Sequence, residues 1–155
     1  MKKILMTGAA GVVGTFLRNE FRGRYHLRLS DMTAIDDCGP DEEFVEADLS
    51  NLEATQNAVA GVEGIIHLGG YSVEGDWETL LNSNIIGTYN LFESARIDGV
   101  KRVVFASSNH AIGFYERSQT IDHTDTLRPD PRYGHTKAFG ESLASLYVDK
   151  YSAEV

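Results

Sequence analysis

A strand-like run, Lys3–Thr7, passes directly into Thr7-Gly8-Ala9-Ala10-Gly11-Val12-Val13-Gly14, and the amphipathic segment Val12–Phe21 follows. Strand, glycine loop and helix in immediate succession leave the backbone few options. The first glycine permits a tight turn, the second lets backbone approach a pyrophosphate, and the third lets the helix pack on the sheet. The exposed amides and dipole of the helix N-terminus then favour an anion. Gly8, Ala10, Gly11, Val12, Val13 and Gly14 are the candidate pyrophosphate contacts. The glycines fall at 8, 11 and 14, so the spacing is G-x-x-G-x-x-G. A plain turn with close helix packing would use the same residues.

The rest of the chain repeats the alternation. Tyr25–Ser30 alternates as a strand, Met32–Asp41 is a loop, and Glu42–Ala47 is a third, weaker strand. Asn51–Ala60 is a short helix with Ser50 or Asn51 as its N-cap, and Gly64–Leu68 is a buried strand. Asp76–Asp98 is a long helix ending at Gly99, and Val100–Ala106 is the fifth strand. Ser107–Pro131 is long and turn-rich, and Arg132–Tyr151 is a final helix. Strands alternating with helices predict a parallel sheet covered on both faces. Right-handed crossovers make it a doubly wound α/β sheet of order 3-2-1-4-5, a Rossmann-type single domain over 1–155.

Acids and small residues at the strand ends sharpen the ligand. Asp31 closes strand two, where a carboxylate accepts hydrogen bonds from ribose hydroxyls and repels a 2′-phosphate. Met32-Thr33 offer no arginine for such a phosphate, so the expected cofactor is NAD. Asp48-Leu49 closes strand three beside the expected adenine, although Asp48 also suits helix capping. Leu68, Gly69 and Gly70 end strand four, small enough to pass near the nicotinamide-side ribose. His67 lies in an apolar strand and is expected to be packed rather than catalytic.

Tyr133-Gly134-His135-Thr136-Lys137 places Tyr133 and Lys137 one helical turn apart on the same face. A free tyrosine, with a pKa near 10, is a poor base at neutral pH. A neighbouring ammonium and an oxidised nicotinamide ring favour the phenolate, which can then accept a proton from a substrate hydroxyl. Ser108 ends strand five, at the carboxyl edge where such sheets bind ligands. His110, Asp122, His123 and Asp125 share one loop but give no histidine pair at helical spacing, so no metal is expected.

With these residues in this order, the chain resembles the extended short-chain dehydrogenase/reductase family over essentially its whole length. The resemblance implies a Rossmann domain binding NAD(P), with Ser108 orienting substrate and Tyr133 as acid/base. Lys137 would bind the nicotinamide ribose and lower the tyrosine pKa. Asn84, within Asn84-Ile85-Ile86-Gly87-Thr88, matches the family's helical Asn-x-x-Gly-Thr pattern and implies support for the cofactor site. Three segments narrow the likeness to the uronate dehydrogenases: His67–Glu74, Ser107-Ser108-Asn109-His110-Ala111-Ile112-Gly113-Phe114 and Arg128–Gly134. They imply oxidation of a hexuronate, glucuronate or galacturonate, at C1 to an aldarolactone. Ser72, Ser108, Asn109, His110 and Tyr133 are the implied substrate contacts. Helices 76–98 and 132–151 resemble those that form dimer contacts in the family, which implies a homodimer.

Members of that family usually continue well beyond Tyr-x-x-x-Lys, whereas this sequence stops at Val155. The expectation is a fold lacking the usual C-terminal strands and substrate region, including the family's uronate-binding arginine. Two other readings stay open: a nucleotide-sugar epimerase or dehydratase, and an NAD-binding module without turnover. With 14 basic and 23 acidic residues, net charge −9, neither a nucleic-acid backbone nor an anionic membrane is an expected partner. A lone cysteine, Cys38, fits a reducing cytoplasm.

Overall fold

The computed structural model describes residues 1–155. Five parallel strands form one sheet: β1 (Lys3–Thr7), β2 (His26–Asp31), β3 (Glu42–Glu46), β4 (Gly64–His67) and β5 (Arg102–Phe105). Their order is β3-β2-β1-β4-β5, as the alternation predicts. The chain therefore reverses direction across the sheet between β1 and β4, which pair in register from Ile4–Gly64 to Thr7–His67. That reversal opens a crevice at the carboxyl ends of the strands.

The helices are α1 (Val12–Phe21), α2 (Leu52–Val59), α3 (Trp77–Leu80), α4 (Gly87–Asp98) and α5 (Arg132–Tyr151). Two apolar clusters sandwich the sheet. The larger joins Leu5, Ile65 and Val103 to Leu91, Phe92, Ala95, Leu143 and Tyr147. The smaller joins Met6, Leu27 and Leu29 to Leu17 and Phe21 of α1. The long helix expected over 76–98 is instead divided by a π-helical segment, Leu81–Ile86, between α3 and α4. Gly99 ends α4 in the left-handed conformation. Strand pairing resumes two residues later than the apolar pattern suggests, because Val100 is buried before the ladder begins. The remaining strand limits match the sequence pattern or differ from it by one residue. Within the turn-rich 107–131 segment lies one 3₁₀ turn, Asn109–Ile112.

Helix α1 turns Gly14, Leu17, Arg18 and Phe21 inward, one face at helical spacing as its amphipathic pattern predicts, with an arginine set in it. Its buried residues are Gly14 and Arg18, while Val12, Val13 and Phe16 are exposed. Arg18 is tolerated inside because every nitrogen of its guanidinium has a partner, with bonds to Asp37 at 2.8 Å and to Glu42 at 2.6 Å among them. A buried charge requires such pairing. The Glu42 carboxyl is in turn pulled down to about 2: hydrogen bonds from Arg18, Arg22 and the Gly39 amide outweigh its burial. This cluster fixes the 37–42 connection that leads into β3.

At the far edge of the sheet, Glu154 bridges Arg102 in parallel register. Its amide donates to Lys101 O at 2.7 Å, and its carbonyl accepts from Val103 N at 2.9 Å. The β5 edge, expected to be bare, thus carries one rung of pairing. The helices assigned by resemblance to a dimer contact carry exposed apolar side chains, Tyr89 and Ile97 on α4 and Leu146 and Val148 on α5. No helix is long and apolar enough to cross a membrane.

Candidate active site

The crevice at the carboxyl ends of β1, β2 and β4 is a cleft of about 420 Å³, within the range of small-molecule sites. Gly8, Gly11, Val12, Val13, Gly14, Asp31, Asp48, Leu49, Leu68, Gly69, Gly70 and Ser72 all line it. Of the other expected cofactor contacts, Tyr133 and Lys137 stand apart on α5, and two more lie off the cleft. Ala10 faces the neighbouring groove, and its amide donates to Asp31 Oδ2 at 3.0 Å. Asn84 is buried beneath the cleft's edge.

The cleft has the form of an anion cradle. Gly8 sits at φ +67°, a conformation that side chains disfavour, and a Cβ there would meet Gly69 N at 2.8 Å. A Cβ on Gly14 would lie 2.7 Å from Ala9 Cα and Ala9 O, so only glycine lets α1 seat against the loop. Gly11 is the α1 N-cap and provides no side-chain cap. The first amides of α1 are therefore open to an anion. No lysine, arginine or histidine lines the cleft. A pyrophosphate there would be held by backbone dipoles alone, with Asp31 facing the adjoining ribose. Asp31 accepts one amide on each oxygen, from Ala10 and from Thr33 at 3.0 Å. A carboxylate has about four acceptor sites, so hydroxyls can still be accommodated. Asp48 does both of the things open to it: it lines the cleft and caps Ser50 N at 2.9 Å.

The floor of the cleft is set by His67, packed as its apolar strand predicts, and by two threonines that sequence reasoning left unassigned. Thr7 Oγ1 accepts from Gly69 N at 3.0 Å and lies 2.8 Å from His67 Nδ1. His67 Nε2 lies 3.3 Å from Thr88 Oγ1. An Nε2-protonated imidazole satisfies all three contacts: Gly69 donates to Thr7, Thr7 to His67, and His67 to Thr88. His67 is buried, and burial pulls its pKa down to about 3, so the ring is neutral and structural. Asn90 donates to Leu49 O at 2.8 Å and holds the loop that follows β3.

The second group of residues surrounds the first turn of α5. Tyr133 and Lys137 are both buried. The Lys137 ammonium lies 5.8 Å from the Tyr133 ring centre and donates to Ala106 O at 2.8 Å. Burial lowers the Lys137 pKa to about 8. His110 stands edge-on to Tyr133, ring centres 5.9 Å apart. This approach needs Gly134, where a Cβ would come within 2.7 Å of His110 C. Ser107 is bonded to Glu141 on α5. Ser108 caps the 3₁₀ turn by accepting from His110 N at 3.2 Å, and its own hydroxyl makes only a long 3.4 Å bond to Asn109. Ser108, Asn109, His110, Tyr133 and Lys137 are thereby brought together.

Two ties join this group to the cleft. Asn84 accepts from Tyr71 N at 2.7 Å, and its amide donates to Tyr71 O and to Thr136 Oγ1, each at 2.9 Å. Glu74 accepts from Tyr133 N at 2.9 Å and from Arg132 Nε at 2.9 Å. Pro131, the residue before α5, offers no side-chain cap. Glu74 supplies the carboxylate from 59 residues away. Such partners carry no local sequence signal.

The lysine's burial has a measurable consequence. Below pH 8 Lys137 is charged in both folded and unfolded chains, and the burial penalty is fully present. Between pH 8 and 10.5 the folded chain releases a proton that the unfolded chain keeps, so stability rises with pH; above that range the penalty is gone. The gain is about 3 kcal/mol. Urea unfolding should show wild type gaining stability on Lys137→Met by roughly this amount between pH 7.5 and pH 10. Parallel pH curves for the two proteins would refute the assignment.

Residues 4–155 match the model of the NAD dependent epimerase/dehydratase family. The chain belongs to that family. It is 47% identical over 154 residues to a uronate dehydrogenase of Pseudomonas syringae pv. tomato, an alignment covering 98% of this chain and 56% of the relative. It superposes with a TM-score of 0.94 on a mutant uronate dehydrogenase of Agrobacterium tumefaciens complexed with NAD, at 47% identity over 97% of this chain and 57% of that one. A glucuronic acid dehydrogenase from Chromohalobacter salexigens superposes with a TM-score of 0.96, at 48% identity, covering 99% and 58%. The chain thus spans a little over half the length of these members of the epimerase/dehydratase family.

Proposed function

We propose that this chain binds NAD in the glycine cleft and oxidises a hexuronate, glucuronate or galacturonate, at its C1 hydroxyl to an aldarolactone. The observation that carries the reading is the double tie, through Asn84 and Glu74, between the cleft edge and the helix bearing Tyr133 and Lys137. Cofactor edge and base are held as one unit, as hydride removal coupled to proton removal demands.

When bound, the nicotinamide supplies the acceptor for the C1 hydride. Tyr133 takes the proton from the C1 hydroxyl as the carbon–oxygen double bond forms. Lys137 favours the phenolate by its charge and holds its own place through Ala106 O. Ser108, with its hydroxyl weakly engaged, and Asn109 and His110 beside it supply hydrogen-bond partners for a hydroxyl-rich acid. Ser72, on the wall of the glycine cleft, is the remaining substrate contact that the family resemblance implies. Asp31 and the absence of any cation in the cleft favour NAD over NADP.

The test is to add NAD and each uronate and follow NADH absorbance, with NAD binding measured separately by titration. NADH production with a free uronate is the expected result. A folded, NAD-binding sample that turns over nucleotide-sugars and not uronates would instead select the epimerase or dehydratase reading. Binding with no turnover of either would leave a dinucleotide-binding module.

A further inference from the structure

Among the residues around Tyr133, Asp130 has no part in the reading above, yet it is held on both sides. It stands between Pro129 and Pro131. Each proline fixes its own φ and holds the residue before it in extended backbone, so Asp130 is presented by a stiff segment. Its amide donates to His110 O at 3.0 Å, and its Oδ1 lies 3.1 Å from His110 Nδ1. Its carboxylate also fills the space that a side chain at Gly113 would take. Backbone and imidazole of His110 are therefore held by the same residue. The neighbouring carboxylate, Glu74, is occupied by Arg132 and Tyr133 N.

An ionised carboxylate can only accept, so the ring nitrogen facing it must carry the proton. The free ring nitrogen, Nε2, is then an acceptor. We infer that Asp130 is a positioning residue that locks His110 in its Nδ1-protonated tautomer, so that Nε2 accepts a hydrogen bond from a substrate hydroxyl and not from Tyr133's own helix. This rests on the proposed oxidation of a polyhydroxy acid in naming the group recognised. The tautomer itself does not depend on it. A histidine so held distinguishes a hydroxyl, which can donate, from a carbonyl or carboxylate, which cannot. It would therefore bind the alcohol substrate and lose that bond to an analogue lacking the hydroxyl.

The experiment is nitrogen-15 NMR of the histidine rings, with His110 assigned by its loss in His110→Gln. Wild type should show the Nδ1-protonated form at a pH where the ring is neutral. Asp130→Ala should move His110 to the Nε2-protonated form that free histidine prefers. Asp130→Asn, whose side-chain oxygen still accepts, should keep much of the wild-type signal. In kinetics, Asp130→Ala should raise the uronate KM about 10-fold, with NAD affinity unchanged. Wild-type His110 in the Nε2-protonated form would overturn the inference without any variant. An unchanged tautomer in a folded Asp130→Ala protein, or a loss of NAD affinity equal to the loss of uronate affinity, would also overturn it. A chain that oxidises no uronate but shows the tautomer shift would refute the substrate reading and leave the Asp130 lock standing.

Discussion

Tyr133→Phe should abolish most turnover while leaving NAD bound. The substitution removes one oxygen from a ring that is already packed against His110 and Lys137, so the fold has little to lose. A positioned acid or base contributes about 10²–10⁴-fold to rate, and NADH production from a uronate should fall by that factor. NAD affinity, measured by titration, should stay within a few-fold, since Tyr133 is not among the residues that line the glycine cleft. The same variant separates the readings of this chain. If its rate and its affinity both match wild type, the hydroxyl has no chemical role and the domain is a binding module.

Gly14→Ala is the second large effect, and it falls on the other half of the site. The added methyl would collide with the backbone of Ala9, which no rotamer change relieves. Helix α1 must lift from the loop, and overpacking of this kind costs about 1–3 kcal/mol. The open amides of α1 move with it. NAD affinity should drop at least about 10-fold, equivalent to roughly 1.4 kcal/mol. Gly23→Ala is the control: nothing lies within 4 Å of the position a Cβ would take. Gly23 sits at φ +71°, so the alanine should lower the melting temperature through backbone strain alone and leave NAD binding unchanged. Equal NAD affinity in Gly14→Ala and wild type would remove the cleft as the dinucleotide site.

The sheet was legible because its signals are local. Lys3–Thr7 and Arg132–Tyr151 carry their own periodicity and end markers, and the strand order follows from crossover handedness. The glycine loop was legible for the same reason, since turn, cradle and helix start fall within eight consecutive residues. What escaped is held by partners distant in sequence. Glu74 with Tyr133, Asn84 with Thr136 and Asn90 with Leu49 are pairs separated by 59, 52 and 41 positions. Nothing near Arg18 announced that it would be buried, because Asp37 and Glu42 become its neighbours only when β3 joins the sheet. Asn84 was read as support for the cofactor site, and its atoms face protein rather than the cleft.

The π-helical segment, Leu81–Ile86, bears on how the helices flanking it are phased. One extra residue in a turn shifts everything downstream by about 100° around the helix axis relative to an uninterrupted α-helix. Leu80 before the segment, Asn84 within it and Thr88, Leu91, Phe92 and Ala95 after it are all buried, and at 100° per residue they would share one face of an uninterrupted helix, so their spacing gives no sign of the wider turn. The wider turn sits between α3 and α4, and Asn84, buried within it, takes its side-chain partners from outside the helix. Removing a single residue here would restore an ordinary helix and disengage Asn84 from Tyr71 and Thr136. The length of this segment, counted to one residue, is therefore as much a part of the site as the identity of any side chain in it.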